Sequence, residues 1–186
     1  MRTEHDVVVD GWGRVADETV AQLRRMRVTV RCGAHAADAA ELEMAGGGAA
    51  PALVVLVADH ATDAPAPWVR APSMAAPWHA HRVPQLPLVA GCGHLTVGPL
   101  VVPRRSACLA CVTRPDAGEA GGTEPVTPGA VVLAAAVVTV TTLAVLRGDT
   151  SPAGISTEIG AGGLDVAHRV WGSRPGCGCA SARMVG

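Results

Sequence analysis

The first thirty residues combine an apolar strand, a glycine turn, a helix and a second strand, and this order constrains the fold most. Asp6–Asp10 predicts a buried strand, and Gly11 to Gly13 follows it as a turn. Arg14–Met26 is predicted to form a helix and Arg27–Arg31 a second strand. The helix face toward the sheet is expected to carry Val15, Val20, Leu23 and Met26. Strands joined through a helix run parallel with a right-handed crossover, so the sequence predicts an α/β fold on a Rossmann-like parallel sheet.

The rest of the chain also predicts alternating strands and helices. Leu53–Val57 is apolar on both faces, as a central parallel strand should be. Other elements are expected at 36–44 and 129–146 as helices, at 86–89, 155–159 and 164–171 as strands, and at 95–102 as a hairpin or bent strand. We expect residues 1–92 to form a degenerate nucleotide-binding half. Residues 93–186 should form an antiparallel, zinc-closed half with a crossover loop and a dimerisation surface, and the two halves should make one compact domain.

Composition excludes several classes of protein. The chain has 186 residues, a formal net charge of −1, and no lysine, phenylalanine or tyrosine. Without lysine there is no phosphate-loop lysine and no Schiff base, and the near-neutral charge argues against nucleic-acid binding. The start of the chain is acidic and has only a short apolar run, so it predicts no signal peptide and a cytoplasmic protein. The apolar run 129–146 is expected to be a buried helix, because it lacks aromatic anchors and a basic flank, and no membrane partner is expected.

Four cysteines form two closely spaced pairs, Cys108 with Cys111 and Cys177 with Cys179. In a reducing compartment, cysteines are more often metal ligands or buried thiols than disulfides. Two thiolates from each of two hairpins would make a closed tetrahedral site, so the spacing predicts a structural zinc. The rival interpretation is a redox dithiol at Cys108 and Cys111. Cys32 and Cys92 are expected to be small buried side chains.

The glycine turn matches the dinucleotide-binding pattern G-x-G-x-x-[GA] through Gly11, Gly13, Arg14 and Ala16. Such a turn could bind an anion at the helix N-terminus, or it could only tighten the connection in a nucleotide fold that has lost its ligand. The predicted second strand ends without the acid that holds a ribose, and Arg31 there would permit only NADP. Asp59 and Asp63 follow the central strand, where they could hold magnesium or cap the next turn.

Two stretches carry a resemblance to a known family. They are Val97–Cys111, which contains the first cysteine pair, and Trp171–Cys179, which contains the second. Both resemble the ThiF/E1-like (ubiquitin-activating-like) superfamily, in the actinobacterial branch akin to the E1-like partner protein of azoline-forming (TOMM) cyclodehydratases. The order of parts also resembles that family, from the glycine turn through the central strand to the terminal cysteine pair. The resemblance covers Asp6 to Cys179.

The resemblance implies a function in the modification of ribosomally made peptides. Adenylating members use an acidic ribose contact and basic phosphate contacts, and this chain has no candidate for the ribose acid. We therefore expect a non-catalytic E1-like scaffold with a structural zinc, acting as a homodimer or in a complex with an enzyme that modifies a peptide or natural product. The alternative is an adenylyltransferase that activates a C-terminal carboxylate with ATP and magnesium, using Asp59 or Asp63. The third hypothesis is an NADP-dependent oxidoreductase.

Overall fold

The fold is an α/β arrangement around one seven-stranded mixed sheet. The structure, a computed structural model, describes residues 6–33, 35–59, 69, 71–91, 93–112 and 124–181. The strands are β1 Asp6–Asp10, β2 Thr29–Cys32, β3 Leu53–Asp59, β4 Gln85–Ala90, β5 His94–Val97, β6 Ile155–Gly160 and β7 Val166–Val170. Their order across the sheet is β2-β1-β3-β4-β5-β6-β7. The strands from β2 to β4 pair in parallel and those from β4 to β7 antiparallel, so the predicted α/β class is confirmed and the sheet is mixed.

Helices cover both faces of this sheet. They are α1 Arg14–Arg25, α2 Ala36–Ala45, α3 Ala76–Ala80, α4 Leu109–Val112, α5 Pro128–Leu146 and α6 Gly178–Ser181, and a 3-10 turn at Pro72–Ala75 leads into α3. Helices α1 and α5 pack together on one face, and α2, α3 and α4 pack on the other. Because both faces are covered, the central strands β1 and β3 are apolar between their terminal aspartates, with Val7, Val8 and Val9 fully buried.

Two predictions about packing are wrong, and one strand differs in detail from its expected form. Met26 lies just past the end of α1 and is exposed, because the helix ends at Arg25 before turning its face back to the sheet. Cys32 ends β2, an edge strand, and is exposed rather than buried. The segment 95–102, expected as a hairpin or bent strand, forms β5 followed by single bridges at Leu100 and Val101. Cys92 lies outside the described residues.

Helix α5 is the long apolar helix expected from the sequence, but only one side of it is buried. It is long and apolar enough to cross a membrane by length and composition. In the folded chain it begins with Thr127 as N-cap and buries Ala130, Ala134 and Val138 against the sheet and α1. Its other side leaves Val132 and Val140 exposed. It therefore combines a core-facing side with an uncharged outer side.

Candidate functional site

The four cysteines of the predicted metal site come together on the α2, α3 and α4 face of the sheet. Cys108 immediately precedes α4, and Cys111 lies within it. Cys177 immediately precedes α6, and Cys179 lies within that helix. The pairs are thus carried by two short helical turns, and the expectation of two hairpins is wrong. One helical turn brings residues three apart onto one side, which suits the C-x-x-C spacing.

The sulfur positions match a tetrahedral metal site. The four Sγ atoms lie within 4.8 Å of one another. Cys108 Sγ is 3.8 Å from Cys111 Sγ and 3.6 Å from Cys177 Sγ, and Cys111 Sγ is 3.5 Å from Cys179 Sγ. A tetrahedron with zinc–sulfur bonds of about 2.3 Å has sulfur–sulfur edges of about 3.8 Å. The donor set and its spacing therefore fit zinc.

Backbone groups and packing hold the sulfurs in place. The backbone N–H of Arg174 donates to Cys111 Sγ over 3.3 Å, and the backbone N–H of Cys108 donates to the sulfur of Cys179. Cys111 is buried, and the other three are half-buried against the apolar cluster that includes Trp78. Such second-layer hydrogen bonds orient ligands and stabilise thiolates.

The thiols differ in their acidity. Burial raises the pKa of Cys108 to about 12 and also raises the pKa of Cys111. Burial acts in the same direction on Cys179, but hydrogen bonds from the Cys108 backbone and from neighbouring thiols lower its pKa to about 7. Buried thiols that resist ionisation without a cation give up their protons to a bound metal. This pattern suits a metal centre better than a reactive dithiol at Cys108 and Cys111 alone.

The glycine turn lies where the chain direction across the sheet reverses. Strands β1 and β3 are adjacent and parallel, and the connections leave β1 toward β2 and return across it to β3. A Cβ on Gly11 would lie 2.6 Å from the Val57 carbonyl oxygen, and a Cβ on Gly13 would lie 2.6 Å from Asp59 Oδ2. Both glycines have positive φ, +131° and +102°. The turn therefore requires glycine at both positions, and it places Asp59 beside Gly13 at this switch point.

A pocket of about 320 Å³ opens beside the turn, between the ends of β1 and β2 and helix α1. It is lined by residues of the turn, of α1 and of β2, including Gly11, the exposed Trp12, Ala16, Asp17, Arg24 and Cys32. Arg24 Nη2 lies 3.4 Å from Cys32 Sγ. With one arginine and one aspartate in the lining, the formal charges cancel. Arg14 is exposed on the first turn of α1 and does not line this pocket.

The structure places other acids near the switch point that the sequence reasoning did not single out. Asp10 is the last residue of β1. Its pKa is raised mainly by burial and to a smaller extent by the charge of Asp38. The pKa of Glu41 is also raised, mainly by burial and to a smaller extent by the charges of Asp38 and Asp10. The sequence signal for Asp10 was its place at the end of the first strand, next to the glycine turn. Asp63 lies outside the described residues.

The side chain of Arg31, near the end of β2, is not available to bind a phosphate. Its Nε forms an ion pair with Asp6, and its Nη1 lies 2.7 Å from a carboxylate oxygen of Glu43. Two carboxylates therefore already neutralise the side chain on which recognition of NADP would depend.

The comparisons with known proteins relate the chain by fold alone. No family model and no curated protein matches the sequence. The fold matches E. coli MccB with a TM-score of 0.64 and 12% identity, over 98% of this chain and 66% of that one. It matches the heterocyclase TruD with a TM-score of 0.59 and 17% identity, over 94% of this chain and 27% of that one. A heterocyclase in complex with substrate and cofactor matches with a TM-score of 0.57 and 16% identity, over 91% of this chain and 24% of the other. The chain thus spans about a quarter of the two heterocyclases and 66% of MccB.

Proposed function

We propose that this protein is a non-catalytic E1-like scaffold that assists an enzyme in modifying a ribosomally made peptide or a related natural product. Support comes from the fold it shares with two heterocyclases and with MccB. The resemblance of its cysteine-bearing segments to the partner proteins of azoline-forming cyclodehydratases points the same way. In this proposal the ATP-dependent step belongs to the other enzyme, and the scaffold works in the cytoplasm.

The observation that carries the proposal is the charge around the glycine turn. A triphosphate is strongly anionic, and nucleotide sites offer it positive charge or free N–H groups. Here Asp10 and Asp59 are the last residues of β1 and β3, and the pocket beside the turn is lined by both Asp17 and Arg24. No lysine exists in the chain to offset them. This balance of charge favours a protein that acts through its binding surfaces over one that uses ATP.

Zinc would be held by Cys108, Cys111, Cys177 and Cys179. When bound there it supplies a cross-link between the middle of the chain and its C-terminal segment, with all four positions filled by sulfur. The thiol sulfurs are already within tetrahedral distance of one another. Their role in the proposal is structural: they fix the segment after β7 against the α4 side of the sheet.

The outer side of α5 is the surface we assign to association, either with a second copy or with the modifying enzyme. None of the nineteen residues of α5 is charged. Val140 is 65% exposed and Val132 is 49% exposed. Exposed apolar side chains on an uncharged helix favour burial against another protein surface. Sedimentation of the protein and of Val140→Glu tests this assignment, because the charged variant should dissociate any complex built on this side.

The experiment that tests the proposal is calorimetry of ATP with magnesium on the zinc-loaded protein. We expect no heat of binding at millimolar ATP. Micromolar binding that Gly13→Val abolishes would overturn the scaffold and make the protein an adenylyltransferase. In a second arm, peptide modification by an ATP-using heterocyclase that binds this protein should require the zinc-loaded chain. Equal product formation without the chain would also overturn the proposal.

The alternative, an adenylyltransferase that activates a C-terminal carboxylate, is favoured by one observation. Asp59 lies against Gly13 at the switch point, where a magnesium-binding carboxylate would be needed. With Asp10 at the end of the adjacent strand, it could hold a cation that offsets the acidic surroundings. The third candidate, an NADP-dependent oxidoreductase, is disfavoured because Arg31 is already paired with two carboxylates.

A further inference from the structure

A second pocket, separate from the glycine turn, lies next to the cysteine cluster. Its volume is about 290 Å³, and its lining includes His79, Arg82, Pro103, Arg104, Gly178 and Cys179. Arg82 comes three residues before β4 begins, so the pocket lies near the amino end of that strand. The glycine turn meets the carboxyl end of β3, which runs parallel to β4. A seven-residue strand is about 20 Å long, so the two pockets occupy opposite ends of the sheet.

The charge of this second pocket is one-sided. Within the described part of the chain, two arginines and a histidine line it, and no carboxylate does. Among the described residues, neither Arg82 nor Arg104 forms an ion pair. Every other element of the lining is apolar, glycine or a thiol. Unpaired guanidinium groups that converge on a concave surface are suited to bidentate binding of an oxyanion.

The backbone fixes the turns that carry these arginines. Arg82 has φ of +60° and Arg104 has φ of +68°, a region that arginine seldom adopts. The Arg82 turn is closed by hydrogen bonds from the Arg82 N–H to the His79 carbonyl and from the Val83 N–H to the Trp78 carbonyl. The Arg104 turn is closed by a bond from the Arg105 N–H to the Val102 carbonyl. Strained, hydrogen-bonded turns persist where the surroundings hold them, and they often carry function.

We propose that this pocket is an oxyanion site, which binds a carboxylate of an acidic peptide segment or a phosphate group through Arg82 and Arg104. The inference goes beyond the proposed scaffold role, since it would hold for either the scaffold or the adenylyltransferase. A rival explanation is that the two arginines only balance the negative charge of a four-thiolate zinc centre, whose ligand Cys179 forms part of the same wall. The two explanations differ in what the arginine variants lose.

The test uses the zinc-loaded protein and two probes, inorganic phosphate and a capped pentaglutamate peptide. NMR of the arginine Nε–Hε groups reports which guanidinium responds, and the titration gives the affinity. The variants are R82Q and R104Q, and R147Q is the matched control, because Arg147 is exposed beyond the end of α5 and does not line the pocket. We expect both Arg82 and Arg104 resonances to shift, and each variant to bind about tenfold or more weakly than R147Q.

Binding of phosphate alone would identify a phosphate group as the ligand, and binding of the peptide alone would identify a carboxylate; either supports the proposal. No shift with either probe at about 10 mM would overturn it. Equal weakening of probe binding in R147Q would also overturn it, because the binding would then depend on the net charge of the protein and not on this pocket. If R82Q and R104Q lose zinc while probe binding is unaffected, the arginines belong to the metal centre and the proposal is wrong. None of these readouts depends on ATP binding, so this test and the test of the scaffold fail separately.

Discussion

Replacing Cys108 with serine tests the proposed metal centre through the effect that we expect it to have on folding. Cys108 Sγ faces Cys177 Sγ across a sequence separation of 69 residues. The segment between them contains α5, β6 and β7, which is the whole antiparallel side of the sheet except β5. Serine keeps the size of the side chain but removes one thiolate, so zinc should be held poorly or lost. The C-terminal segment would then be tied to the rest of the fold by packing and by hydrogen bonds such as that from the Arg174 N–H to Cys111 Sγ, without the metal cross-link.

The magnitude follows from the length of the closed loop. A cross-link across about 70 residues restricts the unfolded chain by about 4 kcal/mol in the chain-entropy relation, and a metal clip acts in the same way. For a chain of this size, 1 kcal/mol corresponds to about 2–4 °C in Tm. Cys108→Ser should therefore lower the Tm of the zinc-loaded protein by about 8–16 °C.

Metal content and calorimetric Tm are measured together on the same samples. The matched control is Cys32→Ser, which changes an exposed cysteine on β2, outside the cluster, and should leave both values unchanged. A chelator should lower the Tm of the parent protein to that of Cys108→Ser and should not lower the variant further. If Cys108→Ser keeps one equivalent of zinc and its Tm stays within about 2 °C of the parent, the cluster is not the cross-link described here.

Three further predictions concern acidity, the glycine turn and the core. Zinc affinity should rise with pH because binding displaces thiol protons. Since the pKa of Cys179 is about 7, the slope of log affinity against pH should fall by about one above pH 7, and a constant slope in chelator competition would contradict this. Gly11→Ala should cost about 1–3 kcal/mol more than Gly33→Ala in urea unfolding, because both have positive φ but only Gly11 would press a Cβ into a neighbour. Trp78→Ala should cost about 3–5 kcal/mol, because Trp78 is fully buried, whereas Trp12→Ala at an exposed position should change stability by less than about 0.5 kcal/mol; similar values for the two would refute the assigned packing.

The sequence reasoning located most elements because their signals are local. The apolar centre of β1 and the apolar run Leu53–Val57 of β3 mark buried strands, and the observed strands start and end close to the expected positions. The pairing of Cys108 and Cys111 with Cys177 and Cys179 was also readable, since each pair is close in sequence and zinc needs four donors. The proposed division at residue 92 stays a prediction. The exposure of Met26 and Cys32 was not readable, because it depends on where a helix ends and on which strand lies at the edge of the sheet.

The surroundings of the two pockets were also beyond sequence reasoning. Arg31 looked available for a phosphate until Asp6 and Glu43, which are distant along the chain, were found beside it. Arg82 and Arg104 carry no motif. They share a pocket only because the turn before β4 and the turn after Val102 meet beside α6. Contacts of this kind join residues from separate elements, and neither spacing nor periodicity encodes them.

The α/β class, the glycine turn and the four cysteines of the candidate metal site could be read from the sequence, because periodicity, backbone freedom and cysteine spacing are properties of short segments. The order of the strands, the acidic residues around the turn and the basic pocket beside the cysteines emerge only from the folded chain. Those depend on how seven strands pair and on which loops then meet at each end of the sheet. The electrostatic potential at a site is a sum over the charges that lie near it in space, so it depends on the folded arrangement of the chain.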